Sequence, residues 1–386
     1  MGNFRFITAG ESHGQGLVTI VEGMVAGLAL GEEFINQDLR RRQGGYGRSS
    51  RMKLEQDRAQ IISGVRHGMT IGSPISLIIW NRDWQNWQEI MSITKQDKDI
   101  EVVASPRPGH ADLAGVTKYN LKDIRPIIER ASARETATRV AVGAIARRFL
   151  EEFGIKIHSH TLAIGGVWAR IMGSINWEEV EASPVRCTDA EAGKAMVAAI
   201  DQAKNDGDTL GGVFEVVATD VPVGLGSHVH WDRRLDGKIA QALMTINAVK
   251  GVEIGAGFAL ANIRGSQAHD VIEPALKNHL PWHYVTNRAG GIEGGISNGQ
   301  PIVVRAVVKP LATLAKPLPS IDLRSGEVTG AHYERSDICI VPAAGVIGEA
   351  MLAIVLAQTM LEKFGGDNLK ETLTNYHNYS DSISLW

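Results

Sequence analysis

Apolar positions fall into two kinds of run along this chain. Over residues 17–30 and 71–80, β-branched and aliphatic residues crowd into short stretches broken by Gly or Pro, the pattern of strands. Residues 213–223, 257–265 and 301–308 repeat that pattern. Two other segments read as helices. Ser132-Ala133-Arg134-Glu135 has the spacing of a capping box, in which a hydroxyl and a carboxylate satisfy amides that the first helical turn leaves open. Behind it Val140, Ala141, Ala144, Ile145 and Phe149 recur at helical spacing until Gly154. The second helix covers about 344–364 and stops at Gly365-Gly366. It is apolar over about 20 residues, the length of a membrane span. Glu349, Gln358 and Glu362 interrupt it, however, and carboxylates at mid-span are costly, so it is expected at the centre of a folded core or oligomer. Strands that cluster with helices without alternating with them predict an α+β architecture, not a doubly wound sheet.

Composition adds limits. A length of 386 residues leaves room for one large domain or two or three smaller ones. No Pro-rich or single-charge run marks a boundary, and the 42 glycines are spread throughout. Forty Lys and Arg against 43 Asp and Glu leave the whole chain no electrostatic attraction to nucleic acid or membranes, so local basic clusters need their own explanation. Cys187 and Cys339 lie far apart without Cys-x-x-Cys spacing, which argues against a disulfide framework or zinc ribbon. With an amino terminus lacking a signal-like apolar stretch, and Phe6 where myristoylation needs Ser or Thr, a cytoplasmic location is expected.

The densest cation cluster is Arg40, Arg41, Arg42, Arg48, Arg51 and Lys53, interrupted by Gly44-Gly45-Tyr46-Gly47. Glycines let backbone approach a ligand, and guanidinium groups bind carboxylate or phosphate through paired hydrogen bonds, so this is the chemistry of an anion site. A solvated basic loop or a nucleic-acid patch has the same composition. A second cluster, Arg125, Glu129, Arg130, Ser132, Arg134 and Arg139, surrounds the capped helix start, where open amides also favour an anion; an ordinary capped helix reads identically. His13 stands in Gly10-Glu11-Ser12-His13-Gly14 and His110 in Arg107-Pro108-Gly109-His110. A histidine placed by glycines beside a phosphate can donate a proton to it, or it can simply bond to a turn backbone. His158 and His160, like His228 and His230, have strand i, i+2 spacing; no recognised ligand spacing accompanies them, so core or surface histidines are favoured over a metal pair. Rossmann, P-loop and zincin signatures are missing.

The wording and order of these segments resemble the chorismate synthase family along nearly the entire chain: GESHG at Gly10, RRQGGYGR at Arg41, RPGHADL at Arg107, ERASARETA at Glu129, HWDRRLDGKIAQA at His230, INAVKGVEIG at Ile246, GGIEGGISNG at Gly290 and ERSDICIVPA at Glu334. The resemblance implies one domain over residues 1–386, a β-α-β sandwich with central helices between antiparallel sheets, and a homotetramer. It implies a lyase that eliminates phosphate 1,4-anti from 5-enolpyruvylshikimate 3-phosphate to give chorismate. Reduced FMN (FMNH2) would be needed without net redox change, regenerated with NADPH or by an outside reductant. No nucleic-acid or membrane partner is expected.

The same resemblance implies roles. His13 would protonate departing phosphate, His110 would help set the protonation of the flavin, and Asp337 would act as a base through flavin N5. Arg42, Arg48, Arg51 and Arg134 would cradle substrate anions or NADPH. Arg130, Ala131, Ser132, Asn247, Ala248, Gly294, Lys309, Pro310, Leu311, Ala312, Thr313 and Arg335 would contact flavin. Arg335 and Asp337 are expected on one face of an extended segment. One departure is Met24-Val25-Ala26-Gly27, where relatives carry a Pro-Pro-Gly turn, which leaves that turn's shape open.

Overall fold

The computed structural model describes residues 4–49, 56–97, 100–171, 173–275 and 280–384. Strands β1 (Arg5–Ala9), β2 (Gly16–Glu22), β3 (Ala59–Ser63) and β4 (Ile75–Trp80) form an antiparallel sheet in the order β1-β2-β4-β3. Strands β5 (Lys156–Ile164), β6 (Val167–Trp168), β7 (Gly212–Thr219), β8 (Val249–Ile254) and β9 (Ile302–Val308) form a second, in the order β8-β9-β7-β5-β6. Alternation sets the faces: Leu17, Thr19 and Val21 of β2 and Ile75, Leu77 and Ile79 of β4 are buried, while Ile20 and Trp80 point the other way and are exposed.

The longer helices are α1 (Glu32–Gln43), α2 (Asp112–Tyr119), α3 (Arg125–Ala131), α4 (Thr136–Glu151), α5 (Ala190–Asp206), α6 (Leu235–Met244), α7 (Val341–Phe364) and α8 (Leu369–Ser384). Helix α4 packs on β1 and β2, α1 packs on β3, and α7 lies between α4 and strands β5 and β7. The result is the α+β arrangement of helices between antiparallel sheets. By length and composition α7 could cross a membrane, but here it is buried inside the protein. Protein on every side explains why it lacks a polar face.

Close approach of α7 to its neighbours depends on glycine. A Cβ on Gly143 would lie 2.3 Å from the Cβ of Ala350, one on Gly345 2.8 Å from Ser159 Oγ, and one on Gly348 2.6 Å from the Phe214 ring. Glu349, in the middle of this apolar helix, accepts from Arg41 at 2.7 and 2.9 Å, from Arg186 at 3.1 Å and from Ser159 Oγ at 2.6 Å. A fully buried carboxylate needs such partners.

Several expectations shift. Ser132 accepts from the Arg134 amide and so caps, but it opens a 3-10 turn, Ala133–Glu135, ahead of α4; the Glu135 carboxylate pairs with Arg139 at 2.8 Å. The 17–30 strand stops at Glu22, before Gly23 at φ +86°. Met24 and Val25 are buried, and Gly27 at φ +85° supplies the turn, its amide donating to Thr70 O at 2.8 Å. Residues 257–265 are not a strand. Gly255 and Gly257, both at positive φ, break the chain out of β8, and Gly257–Asn262 forms a 3-10 helix. The run Arg40 to Arg42 belongs to α1, not to a loop, as the favourable placement of cations in a last turn allows.

Glycine's role at the α4–α7 crossing gives a signed prediction. Gly143→Ala forces backbone apart and is expected to lower stability by about 1–3 kcal/mol. Gly237→Ala, in α6, meets nothing closer than 4.0 Å and should raise it by up to about 1 kcal/mol through helix propensity. Urea unfolding of the two variants checks the signs; equal effects would refute the packing account.

Candidate active site

The loop between β1 and β2 carries His13 and can turn only because Gly10 sits at φ +103°, where a Cβ would lie 2.4 Å from Gly16 O. The loop is tied to α3. Ser12 N donates to Glu129 O at 3.1 Å, His13 N donates to Glu129 Oε2 at 2.7 Å, and His13 Nδ1 lies 2.8 Å from Glu129 Oε1. Arg134 donates to Ser12 O at 2.6 Å. The imidazole stacks on Trp87, with ring centroids 3.6 Å apart.

His110 is held by a second carboxylate. Its Nδ1 bonds Asp112 Oδ1, and Arg107 donates to Asp112 Oδ2 through Nε at 2.8 Å and to Oδ1 through an Nη at 3.0 Å. Burial opposes the charge on Asp112, but the bonds from His110 and Arg107 prevail and hold its carboxyl well below the usual range.

Arginines come from several elements. Arg42, in the last turn of α1, donates to Thr136 Oγ1 at 2.9 Å and to Ala133 O at 3.0 Å. Arg134 donates to Asp57 Oδ1 at 3.0 Å, and Arg42 lies 3.6 Å from the other oxygen of that fully buried side chain. Arg48 lies 3.5 Å from Asp337 Oδ2, while Oδ1 accepts from Ser49 N at 2.6 Å. Residues 331–337 form no strand, and Asp337 meets Arg48, not Arg335, in a pair too buried to be a surface ion pair.

His13, His110, Asp337, Arg42, Arg48, Arg107, Arg134, Lys309 and Arg335 line one cavity of about 390 Å³. Ala131, Ser132, Asn247, Ala248, Leu311, Ala312 and Thr313 complete much of its wall. Asn247 Nδ2 donates to Ala131 O at 3.1 Å, but its Oδ1 is buried without a hydrogen-bond partner. Ala248 holds φ +67°, a strained value for a residue with a Cβ. Burial, with Lys250 nearby, lowers the pKa of Lys309.

Other expected residues lie elsewhere. Arg130 donates to Thr8 O, Thr8 Oγ1 and Gly10 O, bracing the His13 loop from outside. Gly294 turns a tight hairpin beside His228, and Pro310 does not line the cavity. Arg40 pairs with exposed Glu33, and Arg139 with Glu135. Arg51 and Lys53 lie outside the described residues. His158 stacks on Trp177, His160 Nε2 bonds Glu215 at 2.9 Å, and His230 bonds Asp232. Among the described residues no group of three or more potential metal ligands occurs. Ser12, Asp57 and Arg107 were missed as site residues, and Glu129 entered only as a member of the cluster around the capped helix. Ser12, Arg107 and Glu129 stand inside the quoted motifs, whereas nothing in the sequence marks Asp57. The sequence also offers two Gly-x-Ser-x-Gly segments, 10–14 and 295–299, which a serine hydrolase would need. Neither is a strand-to-helix elbow: Ser12 sits between antiparallel strands, and Ser297 Oγ donates to Pro222 O at 2.6 Å.

Buried guanidinium groups and two carboxylate-bound histidines around one cavity have the chemistry of an enzyme acting on a small polyanion. Residues 4–361 match the chorismate synthase family profile. The chain is 56% identical over 385 residues to the chorismate synthase of Moorella thermoacetica, covering 98% of this chain and 100% of that one. It is 56% identical over 384 residues to that of Desulforudis audaxviator, covering 98% of each. A crystal structure of chorismate synthase superposes with a TM-score of 0.80 at 44% identity, over 99% of both chains. The chain belongs to the chorismate synthase family, lyases of the shikimate pathway that form chorismate from 5-enolpyruvylshikimate 3-phosphate.

Glu334, on the cavity wall, makes the electrostatics testable. Burial works against its charge, but bonds from His332 and Arg125 hold its pKa down at about 2. An unfolded Glu titrates near about 4.3, so the pair adds stability that is complete above that pH and is lost as pH falls through about 2. Wild type should exceed Glu334→Gln by on the order of 1–3 kcal/mol at neutral pH, and the gap should close between about pH 4 and 2. A gap independent of pH would refute this account.

Proposed function

We propose that the cavity binds 5-enolpyruvylshikimate 3-phosphate together with reduced FMN and eliminates phosphate from the substrate 1,4-anti. The observation that carries this reading is the convergence of His13, His110, Asp337 and five arginines, three of them buried, on one cavity. Substrate and flavin together bring two phosphates and two carboxylates, which need that many cations away from water. The Asn247 wall fits a polar heterocycle, since its buried Oδ1 has no partner within the protein. Reduced FMN, held there against Asn247, Ala248 and Lys309, would supply reversible one-electron chemistry for C–O cleavage with no net redox change.

The chain's own residues do the rest. Arg42, Arg48 and Arg134 hold the substrate anions, His13 gives a proton to the departing phosphate, and Asp337 takes up the proton lost from the ring. His110, locked by Asp112, is the second proton carrier. Lys309, Ala131 and Ser132 contribute to the flavin wall. A homotetramer in the cytoplasm completes the reading. Ile7, 71% exposed, with Ile20 and Trp80 gives the outer face of the four-stranded sheet an apolar surface that an oligomer would cover, and both cysteines are buried free thiols.

The test is phosphate release under strict exclusion of oxygen. Catalytic amounts of photoreduced FMN should sustain many turnovers; consumption of one reductant per turnover would overturn the reading. Oxidised FMN with NADPH then shows whether the chain reduces its own flavin.

Variants should separate chemistry from binding. His13→Ala and His110→Ala are each expected to lower kcat by about 10²–10⁴-fold with little change in FMN affinity. Arg48→Ala should instead raise KM by about 10–100-fold, the equivalent of roughly 1.5–3 kcal/mol for one charge-assisted hydrogen bond. Steady-state kinetics with pre-reduced FMN checks the split, and an unchanged KM in Arg48→Ala would place that side chain outside substrate contact.

A further inference from the structure

We infer that Glu129 is the positioning residue that fixes the tautomer of His13 and keeps its Nε2 facing the cavity. The inference rests on the proposed role of His13 as proton donor to the leaving phosphate. Glu129 stands at the end of α3, and its side chain is fully buried. Each of its oxygens serves His13: Oε2 accepts from the backbone amide at 2.7 Å, and Oε1 lies 2.8 Å from Nδ1. Arg125 also points an N–H at Oε1, 3.4 Å away. An oxygen approached by a guanidinium acts as acceptor, so the ring nitrogen beside it is the donor and the proton sits on Nδ1.

The consequences follow from the two ring nitrogens. To protonate departing phosphate, His13 must carry N–H groups on both nitrogens, one bonded to Glu129 and one directed at the phosphate oxygen. As the C–O bond breaks, the Nε2 proton passes to phosphate and the ring is left neutral, still holding its Nδ1 proton against Glu129. Trp87, stacked at 3.6 Å, fixes the plane of the ring, and the carboxylate fixes its rotation within that plane. Asp83 accepts from Trp87 Nε1 at 3.0 Å and so holds the stacking partner in place.

Glutamine at 129 would reverse the pattern with almost no change of shape. The backbone amide of His13 can only donate, so the amide oxygen of Gln must face it. Its NH2 then faces Nδ1, which a ring can tolerate only as a lone pair. The neutral ring would carry its proton on Nε2, and the doubly protonated ring would meet donor against donor. In a Ser-His-Asp triad the same acid-to-amide change costs about 10⁴-fold in kcat through the wrong tautomer.

The experiment combines 15N NMR of histidine-labelled protein, with the His13 signal identified by its loss in His13→Ala, and kinetics with pre-reduced FMN. In wild type the neutral ring should be protonated on Nδ1. In Glu129→Gln it should be protonated on Nε2, with kcat down at least about 10²-fold and KM within about threefold in protein that remains folded at the assay temperature; Glu129→Asp should recover part of the rate. A wild-type ring with its proton on Nε2 overturns the inference without any variant. So does a Glu129→Gln kcat within a few-fold of wild type. Wild-type turnover in His13→Ala is a different failure, since it removes the proton-donor role and leaves the tautomer signals to be read separately.

Discussion

Arg41 cannot leave Glu349 without stranding a charge inside the most apolar helix of the protein. Burial opposes the ionised Glu349, and Arg41 and Arg186 together hold its carboxyl below the usual range. Removing one partner of such a pair costs about 3–5 kcal/mol, because the other is left uncompensated. Arg41 also reaches Asp38 at 3.0 Å and Glu181 at 2.6 Å, so one guanidinium joins α1, α7 and the chain beside α5. The orientation of α1 follows. Neighbouring residues on a helix point about 100° apart. With Arg41 held against α7, Arg40 turns to solvent and Arg42 into the cavity. Three consecutive arginines that look alike in sequence therefore serve a surface pair, a structural anchor and the cavity wall.

The cavity repeats this logic with a different balance. Arg42, Arg48, Arg107, Arg134, Lys309 and Arg335 line it, and the nearby carboxylates are Asp57, Asp112, Glu334 and Asp337. Those acids keep the guanidinium groups in defined poses, since each buried cation needs an acceptor. The acids that make the buried cations tolerable therefore also fix the geometry of the cavity wall.

Legibility in the sequence followed the range of each interaction. Helix α7 was readable because a long apolar run ending at Gly365-Gly366 is a local signal, whereas Ser132 caps without the reciprocal box its spacing predicts, since it meets the Arg134 amide and Glu135 turns to Arg139. Helix α1 was hidden because its basic last turn flows into glycines and resembles a loop. Residues 257–265 misled because their aliphatic content suits a strand, while two positive-φ glycines decide otherwise. At the site, motif resemblance located most lining residues, but pairing was not legible. Strand alternation put Asp337 with Arg335, whereas its partner is Arg48, brought from nearly 300 positions away by the fold. Asp57 stands in no motif, and only the convergence of Arg42 and Arg134 reveals it.

His13 and His110 show one physical solution reached twice. Each lies in a glycine-containing loop, free of helix or strand, and each has a buried carboxylate at Nδ1, Glu129 in one case and Asp112 in the other. Each carboxylate is in turn met by an arginine, Arg125 or Arg107. A loop alone would leave an imidazole several rotamers, and a bare carboxylate would resist burial. The chain Arg–carboxylate–imidazole removes both problems, because the cation makes the buried acid tolerable and the acid fixes which ring nitrogen faces the ligand. Two loop segments thus hold their rings in defined orientations. The acids sit at opposite ends of short helices, Asp112 opening α2 and Glu129 near the end of α3. The region from 107 to 135 therefore acts as a bracket that carries His110 at one end, grips His13 at the other and enters α4 with Arg134 already in the cavity.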